Sequence, residues 1–244
     1  MLVVLWTSIQ PDVYPTLPPD GFSLRWWRQA LTDEWLVPMA LSAQIAFIAA
    51  AIAVVMGTAA AYSLARSTGR GRGVLEAFLA TPLLVPEIII SLSVVQVVSM
   101  ADVRFLLGPV MLIATHAVIG VPFVLRTVGV SLVTIDPAWE KAAQDLGASR
   151  ARTFVTITLP LMSSGIFAGA LFAFIQSFNN VELSLFLTSA SASTLPIQIL
   201  TYMESQYSPT LASVATTSVI GLCLITAIAS RFARLSDFIQ GGRQ

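Results

Sequence analysis

The sequence predicts an all-α membrane protein, a polytopic helical bundle of five full spans preceded by the end of a truncated first one. Three observations carry that fold class. The 244 residues are 56% hydrophobic and only 11% charged, with a mean hydropathy of +0.81, which lies outside the composition of soluble domains. Residues 38–64, 74–100, 106–125, 161–187 and 211–229 are each apolar over about the 20 residues a bilayer crossing needs. Backbone groups in lipid must be satisfied within the segment, so these are helices and not strands. The positive charges are also strongly one-sided.

The chain opens with the apolar residues Met1 to Trp6, which are too few to span and are followed by Thr7, Ser8 and Pro11. With no basic residues before it and no small-residue cleavage site, this segment reads as the tail of a span whose earlier part is missing, and not as a signal peptide. Pro15, Pro18 and Pro19 fix an extended approach to a short helix carrying Arg25, Trp26, Trp27 and Arg28, with Trp35 beyond it. Tryptophan and arginine together suit a membrane-surface anchor.

Of the 13 Lys and Arg residues, ten sit on one side: Arg66, Arg70, Arg72, Arg126, Lys141, Arg150, Arg152, Arg231, Arg234 and Arg243. Arg25, Arg28 and Arg104 lie on the other. The positive-inside rule places the larger group, the polar stretch around residues 136–160 and the C-terminus in the cytoplasm. Residues 11–20 and 188–210 then face outward. Three parts follow: residues 1–37 as a span remnant and outer loop, 38–233 as the transmembrane domain with a cytoplasmic loop at 134–160, and 234–244 as a cytoplasmic tail. Zero net charge gives no reason to expect a nucleic-acid partner. Cys223 lies alone in an apolar run and reads as a small buried hydrophobe, leaving no disulfide or metal framework. His116, also alone among apolar residues, reads as a helix-packing histidine.

The polar stretch is the most structured signal outside the spans. Asp136 before Pro137 is a helix start, with the carboxylate accepting first-turn amides and proline at the first helical position. Ala138, Ala142 and Leu146, with Trp139 and Ala143 beside them, form a small apolar stripe; Glu140, Lys141, Gln144 and Asp145 fall largely on the other side. Gly147 supplies a left-handed stop after about ten residues of helix, or roughly 15 Å. A second helix starts near Ser149 and leads through Phe154 to Leu159-Pro160. Two short helices at a fixed angle make a knob. It could dock another protein or pack on this protein's own helix ends.

Ala142-Ala143, three residues, Gly147, and nine residues to Ile157-x-Leu159-Pro160 resemble the EAA loop of binding-protein-dependent ABC-transporter permeases. The loop's place before the penultimate span, on the positive side, is similar too. Pro18-Pro19-x-Gly21-Phe22-Ser23-Leu24-Arg25-Trp26-Trp27 resembles the spermidine/putrescine subfamily. So do Pro82-Leu83-Leu84-Val85-Pro86-Glu87, Pro122-Phe123, Ser177-Phe178-Asn179-Asn180 and Thr194-Leu195-Pro196 with Pro209. The resemblance implies a bundle of the type I ABC importer permease kind, in the bacterial cytoplasmic membrane. It implies coupling residues Glu140, Lys141, Ala142, Ala143, Gly147 and Pro160, and as partners a cytoplasmic ABC ATPase dimer, a second permease subunit and an extracytoplasmic solute-binding protein. ATP would be bound by the ATPase and no cofactor by this chain. One position departs: the family's glutamate falls at Lys141. A lysine reverses the local charge, so the polar contact is altered or passes to Glu140.

Inside the spans, Glu87, Ser177, Asn179, Asn180 and Glu182 stand out, with Gln176 one turn before the cluster. Ionisable groups at such depth cost about 2.5–3.5 kcal/mol on insertion scales and face a cavity or a partner helix. Interhelical hydrogen bonding is the simpler role for Glu87; for the 177–182 cluster, four polar side chains in six residues point to a translocation pathway. Carboxylates suit a cationic solute such as a polyamine. Residues 69–73 lack the Lys-Ser/Thr that ends a phosphate loop, and no nucleophile–base constellation is evident, so the chain reads as a transport subunit without its own ATPase site. An ion-coupled secondary transporter using Glu87, His116 and Glu182 is the alternative. It predicts inverted repeats, which the sequence does not show, and it leaves the knob unexplained.

Overall fold

The structure, a computed structural model, describes residues 1–14, 21–67, 69, 71–188, 192–206 and 208–241, with the side chains at 229 and 232–241 outside that description. The expected proline approach at Pro15, Pro18 and Pro19 lies outside the described residues, as do Arg70 and Arg243. In chain order the helices are α1 (Leu2–Ser8), α2 (Arg25–Ala30), α3 (Asp33–Arg66), α4 (Arg72–Ala80), α5 (Glu87–Met100), α6 (Pro109–Val133) and α7 (Ala138–Asp145). They continue with α8 (Arg150–Thr153), a π-helical turn (Phe154–Thr158), α9 (Leu159–Leu161), α10 (Ser163–Phe178), α11 (Glu182–Leu187), α12 (Leu195–Ser205) and α13 (Thr210–Gly241). Among the described residues every such element is helical.

Three helices pack against one another as the core: α3, α6 and α10. In lipid there is no hydrophobic force between helices, so close association depends on small residues that let backbones approach. The core has them at its crossings. A β-carbon on Gly57 of α3 would stand 2.6 Å from Val124 Cβ of α6, and one on Gly169 of α10 would stand 2.5 Å from Thr127 Oγ1 and 2.8 Å from Val124 Cα. On the end away from the 136–160 loop, Ser42 Oγ of α3 accepts the Leu195 amide of α12 (2.8 Å), and Trp35 meets Tyr202 edge-on at 5.0 Å. The first helix lies along α13, where Ser213 Oγ donates to Ser8 O (3.4 Å).

Among the described residues, three helical segments are long and apolar enough to cross a membrane, Asp33–Arg66, Pro109–Val133 and Thr210–Ile228, and two bent helix pairs bring the number to five if each pair is one span. The segment expected as one span at 74–100 is broken into two helices. Arg72–Leu83 and Glu87–Met100 meet at 94°, because Pro86 has no amide for the ladder and holds an extended ψ of 127°. The span at 161–187 is broken in the same way. Its helix begins at Arg150, turns 69° at Met162 and stops at Phe178. There Asn180 Oδ1 takes the Leu183 amide (2.8 Å) and starts α11 anew. The third segment is longer than expected and continues from residue 125 to Val133.

Two tryptophans assigned to the membrane surface turn inward instead. Trp35 is 1% exposed and Trp26 is 7% exposed, its Nε1 donating to Gln10 O (2.7 Å). The indole N–H finds a backbone partner inside the fold, and Arg25 stacks over the same ring at 4.1 Å. Cys223, expected buried, is exposed on α13, since an apolar residue on a span can face lipid as readily as protein.

Gly169→Val should lower the thermal midpoint of the detergent-solubilised protein by an amount corresponding to about 1–3 kcal/mol of overpacking. Gly221→Val, where an added β-carbon meets nothing within 4 Å, should leave the midpoint unchanged.

Candidate functional site

The loop after α6 is built as its residues dictate. Asp136 Oδ1 accepts the Ala138 amide (2.8 Å) at the start of α7. At the other end Gly147 takes φ +89°, its amide bonds to Gln144 O (2.9 Å), and the Ala148 amide bonds to Ala143 O (3.0 Å). That pair of bonds is a Schellman closure, which requires the left-handed backbone only glycine adopts without strain. Ser149 Oγ then accepts the Arg152 amide (3.3 Å) and starts α8. The expected two-helix knob is present, with α7 two residues shorter than the ten anticipated.

Most of its surface is exposed, on both faces. Trp139 is 64% exposed and Leu146 91%, and Ala142 and Lys141 are exposed with them, while Ala143 is half-buried. Glu140 is 7% exposed and points into the molecule. Of the two expected outcomes at Lys141, passing the polar contact to Glu140 finds no support here, because the Glu140 carboxylate is occupied internally. Glu140 Oε1 accepts from Arg66 Nη2 at 2.7 Å and from Thr158 Oγ1 at 2.8 Å, and Tyr62 OH reaches Oε2 at 3.5 Å. Tyr62 and Arg66 are one turn apart at the end of α3. The Tyr62 ring packs edge-on against Phe154 (5.0 Å), and the Arg66 guanidinium lies 5.8 Å from the Tyr62 ring centre. Thr158 and Phe154 both belong to the π-helical turn, a widened helix of the kind found at functional sites. Pro160 sits in the first turn of α9, two residues before the bend at Met162.

Burial pushes the Glu140 carboxyl up, but the hydrogen bonds from Arg66 and Thr158 and the Arg66 charge outweigh it and hold the group below the ordinary carboxylate value.

The second polar site lies where two helices break. Gln176 Nε2 donates to Glu87 Oε1 (2.8 Å), and Asn180 Nδ2 donates to Glu87 Oε2. Glu182 Oε2 accepts the Ile88 amide (3.2 Å) in the first turn of α5, and Ser91 Oγ reaches Glu182 O (3.2 Å). Each acid stands at a helix N-terminus, where the macrodipole favours negative charge. Glu87 is half-buried and Glu182 exposed, with Asn179 also exposed beside them. Ser177 does not join this group: it is buried and bonds His116 Nδ1 at 2.7 Å. Helical geometry puts Gln176 and Asn180 on one face and Ser177 on the next.

Sequence reasoning missed Tyr62, Arg66 and Thr158 as members of the loop's network. The available signal was an i, i+4 aromatic–arginine pair at the loop end of an apolar span.

The family model described as "Binding-protein-dependent transport system inner membrane component" matches residues 53–236. The chain belongs to that family. This permease is 28% identical over 221 residues to the spermidine/putrescine transport system permease protein PotC of Haemophilus influenzae, covering 90% of this chain and 85% of that one. It is 32% identical over 206 residues to the putrescine transport system permease protein PotI of Escherichia coli K12, covering 80% and 72%. Among solved structures, the inward-facing MetNI methionine ABC transporter superposes with a TM-score of 0.70 at 19% identity, covering 83% of this chain and 96% of that one. At that identity the likeness concerns the fold. The permease is thus an ABC importer membrane subunit of the polyamine-type subfamily, and the ion-coupled alternative is set aside.

With its pKa lowered in the folded chain, Glu140 contributes its ion pair fully above the unfolded carboxylate pKa and loses it as pH falls through the lower folded value. The thermal midpoint should stay level from about pH 8 to 5, then fall more steeply below about pH 4 in the wild type than in Glu140→Gln. Scanning calorimetry of both proteins across that range checks this.

Proposed function

We propose that this permease is the membrane subunit of an ATP-driven importer for small organic cations of the polyamine class. The observation that carries the substrate class is the pairing of Glu87 and Glu182 at facing helix breaks, with the Glu182 carboxylate and Asn179 exposed next to them. Non-helical backbone at membrane depth is tolerated where it lines a cavity or is covered by protein. Two carboxylates there would balance two ammonium groups. The names of the PotC and PotI relatives support the same class.

In this reading the bundle counts five spans, with α1 lying along α13, and works beside a second permease subunit that completes the pathway. The C-terminus and the 134–160 loop face the cytoplasm, as the distribution of arginines supports. The exposed face of α7, with Trp139, Ala142 and Leu146, enters a cleft on an ABC ATPase that binds the ATP. Lys141 stands at its rim, with Gly147 holding the exit of the helix and Pro160 leading to the bend. A binding protein delivers the cation to the outer side, near α2 and α12.

Reconstitution of the permease with its ATPase and binding protein in ATP-loaded proteoliposomes tests this. Labelled putrescine or spermidine should accumulate only with ATP. Glu182→Gln should reduce uptake roughly tenfold or more, about 1.4 kcal/mol, while the complex still assembles. Uptake that is unchanged in both Glu87→Gln and Glu182→Gln would remove the carboxylates from substrate recognition. In the same preparation Trp139→Glu should release the ATPase on size-exclusion chromatography.

A further inference from the structure

The docking helix α7 is joined through the backbone to α6 on one side and to α8 on the other. No backbone segment joins it directly to α3. Yet α3 is the element that packs on both α6 and α10, and its far end holds α12 through Ser42 and Trp35. Among the described residues, the polar contacts from the loop to α3 converge on one carboxylate, Glu140, which takes Arg66 at 2.7 Å and Tyr62 at 3.5 Å. The same carboxylate holds Thr158 at 2.8 Å, and Phe154 closes over Tyr62. Three elements (the end of α3, the docking helix and the π-helical turn) are clamped at one point.

We infer that the Arg66–Glu140 pair is the coupling link to α3, a positioning contact that makes the 34-residue helix move with the docking helix as one body. This rests on the reading of α7 as the ATPase docking helix. The geometry fits the role. The short charge-assisted hydrogen bond from Arg66 Nη2 to Glu140 Oε1 is directional as well as strong, and the pair is largely shielded, so salt screens it weakly. Without the pair, a displacement of α7 would still reach α10 through the chain at Pro160 and Met162, but α3 would be driven only by side-chain packing. The two ends of the pathway would then lose their synchrony. Glu140 does this from inside the knob, away from the exposed face that meets the ATPase.

The test uses the complete transporter in proteoliposomes, in a Cys223→Ser background. Glu140→Gln and Arg66→Met should keep the ATPase bound and hydrolysing at half or more of the wild-type rate, while uptake per ATP falls at least tenfold. The charge swap Arg66→Glu with Glu140→Arg should recover at least a third of that ratio. Arg66→Cys with Glu140→Cys should be uncoupled when reduced and regain coupling when a short bifunctional thiol reagent bridges the pair. A parallel fall of hydrolysis and uptake, or bridging that restores nothing, overturns the link. Trp139→Glu separates the two readings: a complex that survives it overturns the docking assignment, whereas normal uptake per ATP in Glu140→Gln overturns the link alone.

Discussion

The close approach of α3, α6 and α10 is the constraint on which the other features depend. Lipid offers no hydrophobic reward for bringing helices together, so the core is held by contact between backbones at Gly57 and Gly169 and by the dispersion that such contact permits. That crossing fixes both ends of the three helices at once. At one end it presents Tyr62 and Arg66 to the loop that follows α6. At the other it sets Gln176 on α10 and Asn180 just past its end against the broken start of α5.

Each polar site solves a problem that the membrane imposes on backbone groups. Breaking a helix at Pro86 leaves first-turn amides of α5 without intrahelical partners, and the Glu182 carboxylate takes one of them from across the gap. Asn180 does the same for α11 from within its own turn while its amide group holds Glu87. The acids therefore have a structural role at the break: Glu87 holds the Gln176 and Asn180 side chains, and Glu182 takes the Ile88 amide while staying exposed. At the loop end the logic is similar, since a buried carboxylate is tolerated only because a guanidinium and two hydroxyls surround it.

Much of this was legible in the residues. Asp136-Pro137 and Gly147 announced both ends of α7 because capping chemistry is local: one carboxylate, one missing N–H, one left-handed backbone. The apolar segments announced the spans because bilayer thickness sets their length. What could not be read was which way side chains face once the surroundings are lipid. The apolar stripe of α7 was assigned correctly, yet it points outward while Glu140 points in, because periodicity identifies a face but not what covers it. Trp26, Trp35 and Cys223 went astray for the same reason. The breaks at Pro86 and Asn179 were masked by the hydropathy of their flanks, which averages over two helices as smoothly as over one. Arg66 and Thr158 were missed because their partner lies far along the chain, 74 and 18 residues from each.

The outward face of α7 also bears on how such a subunit is made. Trp139 and Leu146 project from the loop beyond the packed core as an exposed apolar surface. Such surface is adhesive until it is covered. If the proposed docking role of α7 holds, a permease copy made in excess of its ATPase would leave this face uncovered, and balanced synthesis of the two subunits would matter for solubility as well as for transport.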